Sequence, residues 1–162
     1  MRSSIKRFLA VLVMLPATLA GLVAVATPAN AAVAAPLVLQ GDIVKLTNYQ
    51  RAKVGCAPLR LDSHLMLAAR AHTSWMAQTR IFSHTGRNGS TFVTRARTAG
   101  YASPLSENIA WGYRSGVEVV TAWMRSPGHR ANILNCKAKA VAVAAVYSAN
   151  GTPYYTQEFG TR

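Results

Sequence analysis

The sequence AVAVAAVYSANGTPYYTQEFG, residues 140–160, decides the fold class that we predict for this 162-residue chain. Residues 140–147 are rich in β-forming side chains, and residues 154–159 alternate in character. Asn150-Gly151 lies between them and is a pair typical of a tight hairpin turn. Because helical patterns precede this hairpin, the sequence predicts an α+β fold in which helices pack against a small antiparallel sheet.

Helical patterns occupy much of the chain before the hairpin. Leu39 and Ile43 lie at helical spacing in a segment that we expect to be helical from about residue 37 to 54. A second helix is expected to end near residue 78, with Asp62 or Ser63 as its cap. Further segments follow: a short helix capped by Ser90 and stopped by Gly100, an extended piece at 107–113, a helix opened by Gly116, and a helix started by Ser126-Pro127.

The start of the chain has the composition of an export signal. Arg2, Lys6 and Arg7 form a basic beginning, an apolar run follows, and small-residue cleavage sites precede Ala32 and Ala35. The competing interpretation is an uncleaved membrane anchor, since the run approaches the roughly 20 residues that span a bilayer. The Ala-x-Ala sites favour cleavage, and no later stretch is apolar enough to span a membrane.

We therefore predict a secretory signal peptide at residues 1–31, a flexible start at 32–41 and one domain at 42–162. Cleavage after residue 31 leaves 131 of the 162 residues, enough for one hydrophobic core and too few for two typical domains. The mature protein is expected to be secreted, with no membrane span.

The chain is strongly basic, with 18 Lys and Arg against 5 Asp and Glu. Three basic residues lie in the leader, so the mature chain would carry a formal net charge of +10, from 15 basic and 5 acidic residues. An excess of this size on an exported protein favours anionic partners, although simple solubility is the alternative explanation. No block of five consecutive basic residues occurs, so we expect no specific nucleic-acid binding.

Two cysteines, Cys56 and Cys136, lie 80 residues apart. An even count in an oxidising compartment predicts a disulfide between them. The chain-entropy model gives a loop of this length a stabilisation of about 4.5 kcal/mol. A Cys-based metal site would need closer spacing and more soft ligands.

The four histidines fall in different settings. His64 is expected to be exposed in the first turn of its helix. His72 lies on an apolar helix face, where a hydrogen-bonded core histidine is expected, and it is the reserve candidate for a site. His84 lies on a loop rich in turn residues and His129 one turn into the helix after Ser126, and functional imidazoles tend to be displayed at such positions.

Glu107 differs from the other acids because apolar residues follow it at once. A carboxylate in that setting must accept hydrogen bonds from backbone amides or pair with a cation. Asp62 is interpreted as a helix cap, and Asp42 and Glu118 are expected on solvated helix faces. Glu158 lies in the last predicted strand.

Five segments in one order resemble the CAP superfamily. They are FSH at residues 82–84, ENIAWG at 107–112, AWM at 122–124, SPGHRANIL at 126–134 and YTQEFG at 155–160. This superfamily groups cysteine-rich secretory proteins, insect venom antigens and plant pathogenesis-related proteins with bacterial SCP-like proteins. The resemblance is to the bacterial branch and covers about residues 42–160. It implies an α-β-α sandwich and a bacterial protein, monomeric and either extracellular or associated with the cell wall.

The family's cleft is lined by two histidines and two glutamates, and in some members this tetrad holds a divalent metal such as zinc. The histidines match His84 and His129, and the first glutamate matches Glu107. Where many eukaryotic members have Trp-x-x-Glu, this chain has Ser126 after Trp123. The resemblance therefore implies a cleft of His84, Glu107, Ser126 and His129, in which His84, Glu107 and His129 are candidate ligands of zinc or another divalent metal.

Loss of the second glutamate removes one member of a two-carboxylate acid–base mechanism. Glu107 and His129 are then the candidate catalytic residues, and whether the chain is an enzyme is left open. A nucleophilic Ser126 beside His129 is an alternative, but its role as a helix cap explains the residue fully. We expect Tyr155 and Gln157 to be secondary cleft residues, and Trp111, Tyr113 and Trp123 to be core.

Three hypotheses about function follow. The favoured one is a binding module for an anionic envelope polymer, a peptide or a lipid, since the family is linked more often to ligand binding than to one reaction. The second is a metal-assisted hydrolase acting on cell-wall or peptide bonds. In the third, Glu107 bridges the two histidines only to hold loops together.

Overall fold

The computed structural model describes residues 35–162, and the predicted signal peptide lies outside them. Five α-helices are formed by residues Pro36–Ala52 (α1), Ser63–Thr79 (α2), Phe92–Thr98 (α3), Gly116–Arg125 (α4) and Pro127–Ile133 (α5). Four strands are formed by Arg60–Leu61 (β1), Pro104–Trp111 (β2), Ala140–Tyr147 (β3) and Pro153–Gly160 (β4). None of the helices in this described part is long and apolar enough to cross a membrane.

The strands form one sheet in the order β1-β3-β4-β2. β3 and β4 are the antiparallel hairpin that the Asn150-Gly151 turn predicts, and β2 pairs antiparallel with β4 as the edge strand. The α+β class is confirmed. The sheet is mixed rather than antiparallel throughout, because β1 pairs parallel with β3 over two residues, too few for a sequence pattern to show.

Helices cover both faces of this sheet, which confirms the α-β-α sandwich. Val141, Val143 and Phe159 pack with Leu39 and Trp123 in a core cluster formed with α1, α4 and α5. The alternate residues of β3 are alanines, and they pack against α2 and α3 on the other face. The AVAVAA sequence of β3 thus gives one face of bulky side chains and one of small side chains, on which a helix can lie close.

Three element boundaries differ from the prediction. The first helix begins at Pro36, so that residues 36–41 of the predicted flexible start are helical. Thr91, rather than Ser90, caps α3 through a reciprocal capping box with Thr94, while the Ser90 carbonyl accepts a hydrogen bond from Gly86. The extended piece predicted from residue 107 begins earlier, at Pro104.

Arg51 and the disulfide tie the end of α1 to the segment after α5. The predicted Cys56–Cys136 disulfide is formed. Arg51 is fully buried, and its guanidinium donates hydrogen bonds of 2.8–3.2 Å to backbone carbonyls. The acceptors are the carbonyls of Ala57, Ile133, Asn135 and Ala138. One side chain therefore satisfies carbonyls from two distant segments.

We expect Arg51→Met to lower the free energy of unfolding by about 3–5 kcal/mol, because it leaves several buried carbonyls without a donor. Urea denaturation measures the effect. Arg70→Met, which removes an exposed arginine from α2, is the matched control and should change stability by less than about 0.5 kcal/mol. Equal losses in the two variants would contradict the anchoring role of Arg51.

Candidate functional site

Glu107 holds a buried ion pair at the edge of the sheet. Its side chain is 1% exposed, and its Oε2 accepts a hydrogen bond from Arg95 Nη2 at 2.6 Å. Its Oε1 lies 2.8 Å from His84 Nδ1. Of the two expected ways to stabilise this carboxylate, backbone amides or a cation, the structure shows the cation, and both carboxylate oxygens have partners.

Arg95 is the site residue that sequence reasoning missed. It extends from α3, and its Nη1 also donates to the carbonyls of His84, at 3.1 Å, and Ser90, at 2.8 Å. Arg95 therefore fixes the loop that carries His84 as well as the carboxylate that orients it. The sequence indicates that Glu107 needs backbone amides or a cation as a partner, but nothing in it selects Arg95 from the other basic residues.

His84 presents one ring nitrogen to solvent. Its side chain is 56% exposed, and Nε2 has no hydrogen-bond partner among the described residues. With Nδ1 facing the Glu107 carboxylate, the neutral ring carries its proton on Nδ1 and its free lone pair on Nε2. A carboxylate behind an imidazole in this way fixes the orientation of the ring.

His129 lies half-buried in the first turn of α5. Burial lowers the pKa of His129, and the nearby His84 lowers it further. The ring is therefore mostly neutral at pH 7. Both imidazoles offer lone pairs or N–H groups to a ligand.

A chain of buried amides supports α5 from beneath. Asn132 Nδ2 donates to Asn108 Oδ1 at 2.8 Å and to the Glu107 carbonyl at 3.2 Å. Asn108 Nδ2 is shared between Gln157 Oε1, at 3.0 Å, and the His129 carbonyl, at 3.3 Å. The predictions that Gln157 and Tyr155 line the cleft are wrong, since both side chains are fully buried within the fold.

The residues of the predicted cleft line two separate depressions, both of which include residues of β2 and α5. One, of about 240 Å³, is lined by Phe82, Trp111, Tyr113, Ser126 and His129 with the residues beneath them. The other, of about 330 Å³, is lined by His84, Glu107, Asn132 and their neighbours. We call these two depressions together the cleft.

Ser126 occupies the N-cap position of α5, but its hydroxyl makes no capping hydrogen bond. The prediction that the hydroxyl serves as a cap is therefore wrong, and Pro127 at the first helical position starts the helix without it. Ser126 lines one of the two depressions, and no hydrogen bond joins its hydroxyl to His129 in the described part of the chain. Since Glu107 orients His84 instead, no Ser-His-Glu triad is assembled.

The aromatic residues divide between core and surface. Trp123 is buried and donates its indole N–H to the Ile109 carbonyl at 3.0 Å, which confirms it as core. Trp111 is 52% exposed and Tyr113 37% exposed, so the prediction that both are core is wrong. Trp111 is the last residue of the edge strand β2 and lines a depression together with residues of α4 and α5.

In this arrangement His84, Glu107 and His129 do not fit a three-ligand metal centre. No group of three His, Cys, Asp or Glu side chains within residues 35–162 is placed to hold a metal ion. Both Glu107 oxygens already have partners, so the carboxylate would have to release one of them to become a ligand. A metal site on these residues stays a prediction.

Two further titratable groups lie buried behind the ion pair. His72 is 1% exposed and its Nε2 contacts the Ser83 carbonyl at 2.9 Å, as expected of a core histidine. Burial lowers the pKa of His72 to about 4. Glu158 lies opposite Glu107 in the sheet, and neither of its oxygens has a partner among the described residues. Burial, reinforced by Glu107, raises the pKa of Glu158 to about 8.

We expect Glu107→Ala to lower the free energy of unfolding by about 3–5 kcal/mol, because the Arg95 guanidinium would stay buried without its carboxylate. Glu107→Gln keeps an acceptor for Arg95 and should cost less. Urea denaturation distinguishes them. A loss below about 1 kcal/mol in the alanine variant would show that the ion pair does not hold α3 and the His84 loop in place.

Glu158 should make the protein less stable as the pH rises from about 6.5 to 8. The folded state retains this proton to about pH 8, whereas an unfolded glutamic acid loses it near pH 4.3, so stability falls between these values. His72 acts in the opposite sense, since its stability contribution is lost as the pH falls from about 6.5 to 4.

Urea denaturation at pH 6.5 and pH 8 tests this expectation. The wild type should be less stable at pH 8, and Glu158→Gln should remove most of the difference. Glu118→Gln, which changes an exposed acid, should retain it. The same pH dependence in the wild type and Glu158→Gln would contradict the assignment.

Comparison with known proteins finds a matching family and related sequences. A model of the CAP, cysteine-rich secretory protein, family matches residues 44–159. The uncharacterized protein YkwD of Bacillus subtilis is 38% identical over 118 residues, which are 72% of this chain and 45% of YkwD. The uncharacterized membrane protein YlbC of the same species is 32% identical over 120 residues, which are 73% of this chain and 33% of YlbC.

A solved structure with the same fold also contains a domain of this kind. The crystal structure of an extracellular protein containing an SCP domain, from Bacillus anthracis, superposes with a TM-score of 0.70 at 27% identity. The match covers 78% of this chain and 41% of that protein. The chain thus spans less than half the length of these relatives. Fold, motif order and family match agree, and the chain belongs to the CAP family of cysteine-rich secretory proteins.

Proposed function

We propose that this chain is an extracellular CAP domain that binds an anionic component of the bacterial cell envelope in the cleft. The observation that carries the proposal is the state of Glu107. Its charge is neutralised by Arg95 and its second oxygen is turned to His84. The groups that remain free in the cleft are imidazoles, a hydroxyl and aromatic rings, so an anion entering it meets no free carboxylate.

The charge of the whole domain supports the same ligand class. The chain has 15 Lys and Arg beyond the predicted leader against 5 acids, and two of those acids, Glu107 and Glu158, are buried. Arg51 and the Arg95 side chain are buried as well, so the buried charges offset one another and the surface keeps the strong basic excess of the chain. Such a field concentrates anionic polymers near the protein and speeds their association.

The predicted leader and the relatives agree on location. An exported domain of this charge would meet the anionic polymers of the wall first. The Bacillus anthracis relative is described as extracellular, and we extend that location to this chain as part of the proposal. A peptide or lipid ligand, the other partners predicted from the sequence, is an alternative occupant.

A metal-assisted hydrolase of wall or peptide bonds is the second candidate. It is favoured by the Glu107–His84 pair, because an imidazole fixed by a carboxylate and open at Nε2 is the arrangement of a general base. Two observations weigh against it. Among the described residues no hydrogen bond joins the Ser126 hydroxyl to an imidazole, and Glu158, which pairs with Glu107 in the sheet, is fully buried.

The proposal predicts that the mature protein sediments with purified Gram-positive cell walls and loses most of this binding when their phosphate-bearing polymers are extracted. His84→Ala/His129→Ala should reduce the bound fraction at least tenfold, because it removes the polar groups of the cleft. His64→Ala, which changes an exposed histidine at the start of α2, is the matched control and should bind like the wild type.

Unchanged wall binding by the double variant would contradict a role for the cleft. The same samples test the hydrolase. Release of soluble wall fragments, or cleavage of casein, that is lost in His84→Ala would establish the second candidate in place of the first. Both assays are repeated with added zinc, which tests the predicted metal directly.

A further inference from the structure

Phe82, Trp111 and Tyr113 form a group of exposed aromatic side chains at the rim of the cleft, which we call the aromatic row. None of the three takes part in the Glu107–Arg95 ion pair or the Glu107–His84 contact. Trp111 stacks on Tyr154 with ring centroids 6.3 Å apart and planes 22° apart. Phe82 contacts the same indole at 6.3 Å with a 53° tilt. Because Tyr154 is buried, the indole is held from below and beside, while about half of its surface faces solvent.

The exposure of this row has no structural explanation within the fold. Phe82 is 45% exposed, Trp111 52% and Tyr113 37%, and all three line one depression with Ser126 and His129. Scattered apolar side chains on a surface are ordinary, but a contiguous aromatic group at a polar cleft indicates an interaction site. Tryptophan and tyrosine supply large, rigid contact areas that cost little entropy to order.

The polar atoms next to the row also lack partners. The Ser126 hydroxyl makes no capping hydrogen bond, and neither it nor the Trp111 indole N–H has a hydrogen-bond partner among the described residues. An apolar ring face flanked by a hydroxyl, an indole N–H and an imidazole matches a sugar ring. A pyranose has an apolar C–H face for the indole, and its hydroxyl groups lie at the edge to donate and accept hydrogen bonds.

Other occupants fit this surface less well. The depression measures about 240 Å³, which is below the 300–1,000 Å³ of pockets that enclose a whole ligand, so it suits one ring of a longer polymer rather than a lipid chain. A peptide that added to the sheet beside β2 would need the free carbonyls of this edge strand. Two of them, those of Glu107 and Ile109, already accept hydrogen bonds from Asn132 and Trp123.

We infer that Trp111 is the stacking platform for one sugar ring of an envelope glycan, whose hydroxyl groups are bound by Ser126 and His129. The inference rests on the proposed function and names its ligand class: a carbohydrate polymer that also carries negative charge. The basic surface attracts the polymer, and the aromatic platform selects a sugar within it.

The test uses two soluble probes with the mature protein. Chitotetraose is an uncharged tetramer of N-acetylglucosamine, and polyphosphate is an anionic polymer without sugars. Chitotetraose should bind, as measured by isothermal titration calorimetry, a readout that does not depend on Trp111 itself. Trp111→Ala should weaken this binding at least tenfold and Trp111→Phe should weaken it less, since phenylalanine retains part of the stacking surface. Polyphosphate binding should be equal in all three proteins.

Tyr49→Ala is the matched control, because it removes a 59% exposed aromatic side chain from α1, outside the cleft. It should bind both probes like the wild type. Circular dichroism checks that each variant is folded. If Trp111→Ala does not fold, Trp111→Phe still tests the inference.

Three results would overturn the inference. They are an absence of chitotetraose binding by the wild type, equal binding by the wild type and both Trp111 variants, and Trp111-dependent binding to anionic phospholipid vesicles without sugar binding. These results are distinguishable from failure of the proposed function. If His84→Ala/His129→Ala loses wall binding while Trp111→Ala retains it, the cleft binds an anion but not through a sugar.

Discussion

The buried charge of Glu107 is the constraint on which the cleft depends. Removing a carboxylate from water costs several kcal/mol unless a cation and further donors compensate it. Arg95 supplies that cation and also donates to the carbonyls of His84 and Ser90. One acid on an edge strand therefore fixes the position of α3, the course of the loop before it and the orientation of the His84 ring.

Two consecutive residues of β2 position the two histidines from opposite faces of the sheet. Glu107 points toward the layer of α2 and α3 and orients His84, whereas Asn108 points toward the layer of α1 and α5 and contacts the His129 carbonyl. Since successive side chains of a strand alternate between faces, the cleft must lie at the edge of the sheet, where both layers can reach it. A one-residue slip in the register of β2 would turn Glu107 and Asn108 to the opposite faces of the sheet, and the contacts with His84 and His129 would be lost.

Local chemistry made much of this structure predictable. The Asn150-Gly151 pair predicts the hairpin, the apolar spacing predicts α1, and the two cysteines predict the disulfide. All three are present in the structure. The features that the sequence did not predict are of two kinds. In some, two neighbouring residues could serve equally well, and in others the outcome depends on contacts with distant parts of the chain. Ser90 and Thr91 are both acceptable caps, and only the reciprocal bond with Thr94 decides between them. Arg95 is one of many basic residues, and nothing in the sequence around Trp111 shows that its side chain will be half exposed at the end of β2.

The serine at position 126 changes the chemistry of the cleft as well as its composition. A two-carboxylate cleft stabilises cationic groups and supports acid–base catalysis on a glycosidic bond. Here Glu107 is neutralised by Arg95, and Glu158, which lies opposite it, is buried where its raised pKa keeps it largely protonated at pH 7. The cleft therefore presents no free negative charge, while His129 stays neutral because burial lowers its pKa. Such a surface can hydrogen-bond an anion or a sugar without repulsion, and it lacks the paired acids that would be needed to cleave one by that mechanism.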